Sequence, residues 1–193
     1  MKIELPLPNQ ANGMPLMEAI HQRASVKTFS DREIPRQVVS DLLYAAQGVN
    51  RADGHLTVPT ANDSRNMALY VVTPDAAYRY VRAEHALEEV AKGDFRAATG
   101  CQDYVATAYM QIVVLMDEEA GNERFFASPL EKRVNMSWEH AGHISQNLYL
   151  VSIANGLNSV ARIFINHDTL RQALQLPWNL RIILAQTIGY PED

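Results

Sequence analysis

Two early segments carry apolar residues at helical spacing, and each begins at a proline. On one helical face stand Leu16, Ala19 and Ile20 after Pro15, and Val39, Leu42, Leu43 and Ala46 after Pro35. Proline is favoured at the start of a helix because its missing N–H needs no partner there. The pattern predicts two helices joined by a polar, extended stretch over 25–34.

Later segments predict both strands and helices. Four apolar runs read as strands: Ala68–Thr73, Gln111–Met116, Arg162–Ile165 and Ile182–Ile188. Gln111–Met116 is almost continuously apolar, which indicates burial on both faces of a sheet. The strongest helix prediction covers about Trp138–Asn155, whose second half is apolar nearly all round and suits a core or a subunit contact. Asn166 is expected to cap a last helix.

The order of these elements predicts an α+β fold, since helices come first and strands and helices then mix without strict β-α-β alternation. A length of 193 residues suits a single domain over 1–193. The stretch Gly48–Ser64 is rich in glycine, proline, asparagine and aspartate, so it predicts a long loop. Long loops in compact domains are often functional.

Composition narrows the classes of function. The net charge of −5 argues against nucleic-acid binding, which needs a basic surface to neutralise phosphates. Cys101 is the single cysteine, so no internal disulfide can form. No apolar stretch approaches the length of a membrane span. We expect a cytoplasmic protein, although a mature chain whose leader had been removed would look the same.

Local residues suggest two further candidate sites, a histidine pair and a cysteine. His140 and His143 share a helical face at i, i+3 beside Glu139, but two histidines without a third ligand are more often structural or exposed, and no metal is predicted. Cys101 has no obvious base beside it and reads as a small buried hydrophobic residue rather than a nucleophile. No G-x-G-x-x-G, P-loop or G-x-S-x-G motif is present in the sequence.

The segment around Ser25 carries the most chemistry. If it is extended, Arg23, Ser25 and Lys27 lie on one face and offer a guanidinium, a hydroxyl and an ammonium group to an anion. The alternative is a helix end whose cations complement the helix dipole and otherwise face solvent. Local residues alone favour that second interpretation, because short basic segments are common.

Four stretches together resemble the nitroreductase family of flavin enzymes. They are MEAIHQRASVKTFSDREIP, which contains an R-x-S-x-[RK]-x-F segment; DLLYAAQGVNR followed by TVPTAN; GLNSVARIFINHDTLRQALQLP; and RIILAQTIGYP. The resemblance extends from about Met17 to Pro191. It implies a nitroreductase-like fold with a mixed, mainly antiparallel sheet flanked by helices. It also implies FMN as cofactor and a homodimer in which each flavin site borrows residues from both chains.

The resemblance implies a role for each of several residues. Arg23, Ser25 and Lys27 match the family's phosphate and ribityl contacts. Thr60 and Asp63 fall where the family tends to have a serine and an asparagine near the flavin, and Arg65 falls where it often has glutamine. Arg162 and Ile163 align with the loop that passes the reactive edge of the flavin, where a cation would favour the anionic reduced form. No catalytic acid or base is assigned, because the cofactor performs the difficult step.

Departures from the family pattern leave alternatives open. Asp63 cannot donate to flavin carbonyls unless it is protonated, and the neighbouring Asn62 could take its place after a small shift of the loop. Ile163 replaces a frequent glycine, and the sequence ends at Asp193 without the basic residue that many relatives carry there. The resemblance implies an oxidoreductase that passes electrons from NAD(P)H to a nitroaromatic or quinone. A non-catalytic flavin-binding protein for storage or sensing is the alternative, and a protein that keeps the fold without the cofactor ranks third.

Overall fold

The computed structural model describes residues 1–11 and 13–192, so Asp193 lies outside the described residues. Its centre is a seven-stranded sheet in the order β1-β4-β3-β2-β5-β7-β6. The strands are β1 (Lys2–Glu4), β2 (Met67–Val72), β3 (Ala76–Val81), β4 (Ala86–Lys92), β5 (Met110–Asp117), β6 (Asn158–Arg162) and β7 (Leu180–Gly189). All strand pairings are antiparallel within the described part of the chain. The predicted α+β fold with a mainly antiparallel sheet is confirmed.

Five helices accompany the sheet: α1 (Leu16–Gln22), α2 (Arg36–Gln47), α3 (Glu123–Phe126), α4 (Leu130–Ala154) and α5 (His167–Ala173). Prolines 15, 35 and 129 directly precede α1, α2 and α4. The side chain of Asn166 accepts a hydrogen bond from the Thr169 N–H at 3.0 Å, which confirms the predicted cap of α5. The described residues contain no helix long and apolar enough to cross a membrane.

The hydrophobic core lies on both faces of the sheet. On one face, α2 and α4 cover the alternating inward residues of β2 and β5, and the predicted face of α2 is buried here. On the other face, Leu170 and Leu174 near α5 pack against residues such as Val113 and Leu115 of β5. Strand β5 is therefore buried on both sides, as its continuous apolar run predicted.

The structure corrects several local predictions. The strand expected over Arg162–Ile165 is instead β6, which ends at Arg162, and Ile163 and Phe164 are 67% and 69% exposed. Helix α4 begins at Leu130, eight residues before the predicted start near Trp138. Cys101 is exposed rather than buried. The β3–β4 hairpin was not predicted at all.

Candidate functional site

The segment after α1 lies along the outer edge of β6. The Val26 N–H donates to the Ser159 carbonyl at 3.1 Å, and the Asn158 side-chain amide donates to the Thr28 carbonyl at 2.8 Å. Phe29, just beyond, is buried in a small cluster with Ala108 and Val160. These contacts hold residues 23–27, which we call the basic segment, against the edge of the sheet.

Within the basic segment, two of the three candidate side chains meet at Tyr149 of α4. The Tyr149 hydroxyl lies 2.9 Å from Ser25 Oγ, and the Arg23 guanidinium stands 5.3 Å from the centre of the tyrosine ring. Lys27 is exposed. Within the described part of the chain, neither Arg23 nor Lys27 forms an ion pair. The segment therefore presents two cations and a hydroxyl without a neutralising carboxylate, a donor set that suits a phosphate.

The candidates from the loop between α2 and β2 lie on an unusual backbone. Residues Asn62, Asp63 and Arg65 have φ angles of 58°, 51° and 48°, the left-handed region that non-glycine residues seldom adopt. Such conformations cost on the order of 1 kcal/mol or more each and persist only where the surroundings impose them. We call Thr60–Arg65 the left-handed loop.

Three side chains from other parts of the fold impose this backbone. His140 Nε2 accepts a hydrogen bond from the Ala61 N–H at 2.7 Å. Asn122 Nδ2 donates to the carbonyls of Asn62 and Asp63, at 2.6 and 3.2 Å. Arg82 Nη2 donates to the Arg65 carbonyl at 2.9 Å. The loop is thus held in one shape by hydrogen bonds from other parts of the fold to its backbone groups.

His140 is buried and its two ring nitrogens are both engaged. Nε2 accepts from Ala61, so the ring proton is assigned to Nδ1, which lies 3.1 Å from Asn66 Oδ1. Burial lowers the pKa of His140 to about 4, which keeps the imidazole neutral at pH 7. Asn66 continues the network by donating to Ser137 Oγ at 2.8 Å. His140 is therefore a structural histidine, and no group of three or more possible metal ligands occurs among the described residues.

Asp63 and Arg65 are committed to each other. Arg65 Nε and Nη2 donate to the two carboxylate oxygens of Asp63 at 2.8 and 2.7 Å, and Arg65 Nη1 donates to the Gly54 carbonyl at 2.8 Å. The hydrogen bonds from Arg65 lower the pKa of Asp63, so that carboxylate is ionised and can only accept. Asn62 is exposed, and its side-chain amide makes no hydrogen bond to another described residue. Of the two neighbours, Asn62 has the free donor.

Arg162 lies where sequence reasoning did not expect it. Its side chain is only 7% exposed and projects to the face of the sheet opposite α4. Its guanidinium donates to the Thr187 hydroxyl at 3.0 Å, to the Gln111 side-chain oxygen at 2.5 Å and to the carbonyl and hydroxyl of Thr99. Burial lowers its pKa to about 10, so it is still charged at pH 7. These contacts favour a structural role for the side chain, while Ile163 is exposed in the following loop.

Helix α4 separates the basic segment from the left-handed loop. The basic segment contacts Tyr149 and the loop contacts His140, nine positions apart on the helix. At 1.5 Å and 100° per residue, these positions are about 13.5 Å apart along the axis and on roughly opposite sides. A cleft of about 520 Å³ between α2 and the C-terminal half of α4 contains none of the candidate residues. The two groups of candidate residues therefore lie apart in one chain, and we call them the two candidate half-sites.

Comparison with known proteins decides the family. Residues 20–190 match the model of the Nitroreductase family. The chain belongs to this family. A protein of Methanocaldococcus jannaschii, provisionally named a nitroreductase, is 25% identical over 186 residues, which cover 91% of this chain and 90% of the relative.

Solved structures of nitroreductase-like proteins share the fold. One from Ralstonia eutropha JMP134, also provisionally named a nitroreductase, is 34% identical with a TM-score of 0.91, and the match covers all of this chain and 90% of the other. Another, from Desulfovibrio desulfuricans, was solved in complex with FMN. It is 23% identical with a TM-score of 0.65, and the match covers 94% of this chain and 89% of the other. The latter likeness concerns the fold alone.

Two residues near the candidate half-sites of this nitroreductase-family chain escaped sequence reasoning. Tyr149 sits inside the apolar run of α4, where a tyrosine reads as core. Asn122 lies in an acidic turn far from the left-handed loop in sequence, and it caps α3 by accepting from the Phe125 N–H at 3.1 Å. Only the folded chain brings either residue to its partner, so no local pattern could have identified them.

Proposed function

We propose that this nitroreductase-family chain is an FMN-dependent oxidoreductase that takes electrons from NAD(P)H and passes them to a small acceptor such as a nitroaromatic or a quinone. The observation that carries the proposal is the basic segment. Arg23 and Lys27 have no carboxylate partner among the described residues, and Ser25 stands between them. A folded protein that keeps two such cations beside a hydroxyl has the donor set for a phosphate monoester.

The left-handed loop supports the other half of the proposed site. Its shape is set by His140, Asn122 and Arg82, so that Thr60 and Asn62 can contact a planar ligand without ordering the loop first. Asn62 has a free side-chain amide, whereas Asp63 is an ionised acceptor bound to Arg65. We therefore assign the amide contact to Asn62, and we assign Arg65 to holding Asp63.

A homodimer would unite the two half-sites. In one chain they lie on roughly opposite sides of α4, about 13.5 Å apart along its axis. The basic segment of one protomer and the left-handed loop of its partner could then contact the same cofactor. Exposed apolar side chains on α1, including Leu16 and Met17 at 64% and 73% exposure, support burial against a second chain.

In this proposal, FMN when bound supplies the electron-transfer chemistry. The chain supplies binding and orientation: the basic segment holds the anionic end, and the left-handed loop orients the planar end. Ile163, exposed beside the end of β6, borders the approach of a small acceptor. The alignment implies a contact between Arg162 and the flavin, but its contacts support a structural role. Its guanidinium binds the side chains of Thr99 and Gln111.

One observation favours the alternative of a non-catalytic flavin-binding protein. Two residues that align with flavin contacts, Asp63 and Arg65, bind each other instead. With fewer contacts to the planar end of the flavin, binding would depend mainly on the phosphate. The protein would then have less influence on the reactivity of the flavin ring. This alternative predicts bound flavin that neither NADH nor NADPH reduces at an appreciable rate.

Flavin retention by two variants tests the proposal. Replacing both cations, Arg23→Ala with Lys27→Ala, should abolish copurification with FMN and raise its dissociation constant by about tenfold or more. Arg79→Ala is the matched control, since Arg79 is an exposed arginine that pairs with Glu88 at 2.8 Å and lies on β3, four strands across the sheet from β6 and the basic segment. Unchanged FMN content in the double variant would refute the assignment of the basic segment.

A further inference from the structure

The Tyr149 hydroxyl joins the basic segment to the backbone of β6. The Ala161 N–H donates to the Tyr149 oxygen at 2.7 Å, and the same oxygen lies 2.9 Å from Ser25 Oγ. Tyr149 is nearly buried at 9% exposure. Tyr149 therefore connects a main-chain group of the sheet to a side chain of the proposed phosphate site.

The available protons determine which group donates in each of these two hydrogen bonds. A backbone N–H can only donate, so Tyr149 must accept from Ala161. The tyrosine then has one hydroxyl proton of its own, and at its buried position the neighbouring acceptor is Ser25 Oγ. With Tyr149 donating to Ser25, the proton of the serine hydroxyl remains free to be donated outward. A serine that donated to Tyr149 instead would leave the tyrosine proton buried without a partner, at a cost of about 1–3 kcal/mol.

The same tyrosine also orients the cation of the site. The Arg23 guanidinium stands 5.3 Å from the centre of the Tyr149 ring, within the range of a cation–π contact. The hydroxyl edge of the ring thus contacts Ser25 while its face contacts Arg23. One side chain holds two of the three groups of the basic segment.

We infer that Tyr149 is a positioning residue that fixes Ser25 as a hydrogen-bond donor to an oxygen of the bound cofactor. The inference rests on the proposed function, since it names the acceptor as an oxygen of FMN. Because Ser25 lies between two unpaired cations, the phosphate is the expected acceptor, and the ribityl hydroxyls share the same oxygen chemistry. Tyr149 itself does not touch the cofactor in this account.

A double-mutant cycle tests the inference, with the dissociation constant of FMN measured by quenching of its fluorescence. Tyr149→Phe and Ser25→Ala should each weaken FMN binding by roughly three- to tenfold, the range for one lost hydrogen bond. In the Ser25→Ala background, Tyr149→Phe should have no further effect. Ser25→Thr, which keeps a hydroxyl, should retain both the affinity and its dependence on Tyr149.

A control and a second ligand sharpen the cycle. Tyr190→Phe alters a tyrosine of the same kind, whose ring lies 4.1 Å from the Arg32 guanidinium carbon, and it should leave FMN binding unchanged. Riboflavin lacks the phosphate, so its binding should be insensitive to Tyr149→Phe if that group is the acceptor. Equal losses for riboflavin and FMN would assign the acceptor to the ribityl chain and keep Ser25 as the donor.

The outcomes separate the inference from the proposal beneath it. If the wild-type protein binds FMN but the Tyr149→Phe loss is the same with and without Ser25, the positioning role is overturned and the proposed function stands. If Tyr149→Phe binds FMN as tightly as the wild type does, the positioning role is also overturned and the proposed function stands. If the wild-type protein binds no flavin, the proposed function falls and the inference falls with it. Thermal melting of each variant checks that binding is compared between folded proteins.

Discussion

His140 accepts a hydrogen bond from the backbone N–H of Ala61 through Nε2, with 2.7 Å between the two nitrogens. This contact joins the middle of α4 to the left-handed loop, in which Asn62, Asp63 and Arg65 adopt positive φ angles. The imidazole can accept only because it is neutral, and burial keeps it so by lowering its pKa to about 4. A buried histidine thereby controls the shape of an exposed loop.

Removing this acceptor should loosen the loop and weaken flavin binding. His140→Leu leaves the Ala61 N–H without its partner, so we expect a loss of about 1–3 kcal/mol in unfolding free energy. We also expect roughly tenfold weaker FMN binding, measured by fluorescence titration. His140→Gln, whose amide oxygen can take the place of Nε2, should recover part of both. Ser145→Ala is the control, because it removes another buried hydrogen bond of α4, 2.8 Å long and made to Gln186. If both variants weakened FMN binding equally, His140 would have no special link to the loop.

The depressed pKa of His140 makes stability depend on pH in a defined window. Between the unfolded value near 6.5 and the folded value of about 4, the unfolded chain binds more protons than the folded one. The contribution of His140 to the unfolding free energy is fully present above about pH 6.5. It decreases as the pH falls toward 4, by up to about 3 kcal/mol in total. Urea unfolding of the wild type and of His140→Gln at several pH values between 7.5 and 4.5 measures this. The variant should show a shallower decline, and identical slopes would contradict the assignment.

Neighbouring positions in the left-handed loop should respond differently to loss of their side chains. Asn62→Gly and Asp63→Gly each place glycine where φ is positive, so neither adds backbone strain. Asn62→Gly removes the free amide and should weaken FMN binding by roughly threefold or more. Asp63→Gly removes an exposed ion pair worth under about 1 kcal/mol and should change FMN binding less. The opposite order in isothermal titration would return the flavin contact to Asp63.

Arg162 should behave as a core residue. Arg162→Met leaves the buried Thr99 carbonyl without the Arg162 donor, while Gln111 Oε1 keeps only the hydrogen bond from Thr187, so we expect a loss of about 2–4 kcal/mol in unfolding free energy. The more conservative Arg162→Lys should remain folded, and the reduction potential of its bound FMN should equal that of the wild type. Spectroelectrochemical titration of Arg162→Lys measures that potential. A clear change in potential would restore the flavin-tuning role that the alignment implies.

The sequence predicted those elements that are buried either along one regular face or along their whole length. The buried face of α2 and the doubly buried β5 are of this kind, because period and length identify them directly. Helix α4 was predicted too short because its first turns carry Glu131, Lys132 and Asn135, which face solvent and hide the apolar period. The β3–β4 hairpin was missed because its second strand, Ala86–Lys92, contains Glu88, Glu89 and Lys92 and does not alternate strictly between apolar and polar residues.

In the candidate site, too, the sequence predicted some features and missed others. A short motif was enough to single out Arg23, Ser25 and Lys27, because residue type and spacing carry the chemistry. The orientation of those groups depends on Tyr149, which is 124 positions from Ser25 in sequence. The buried position of Arg162 has a related cause, since strand alternation turns its side chain to the face opposite α4 while its backbone stays at the aligned position. Contacts made across the sheet cannot be read from a local pattern.

The measurement that tests the central claim most directly is the visible absorption spectrum of the purified protein, followed by anaerobic addition of NADH and NADPH in separate samples. We expect a yellow protein whose flavin absorption bleaches with at least one of the two donors and recovers when a quinone is added. A yellow protein that neither donor bleaches would favour the non-catalytic flavin-binding alternative. A protein that stays colourless after incubation with FMN would contradict the proposed function and leave only the fold and the family.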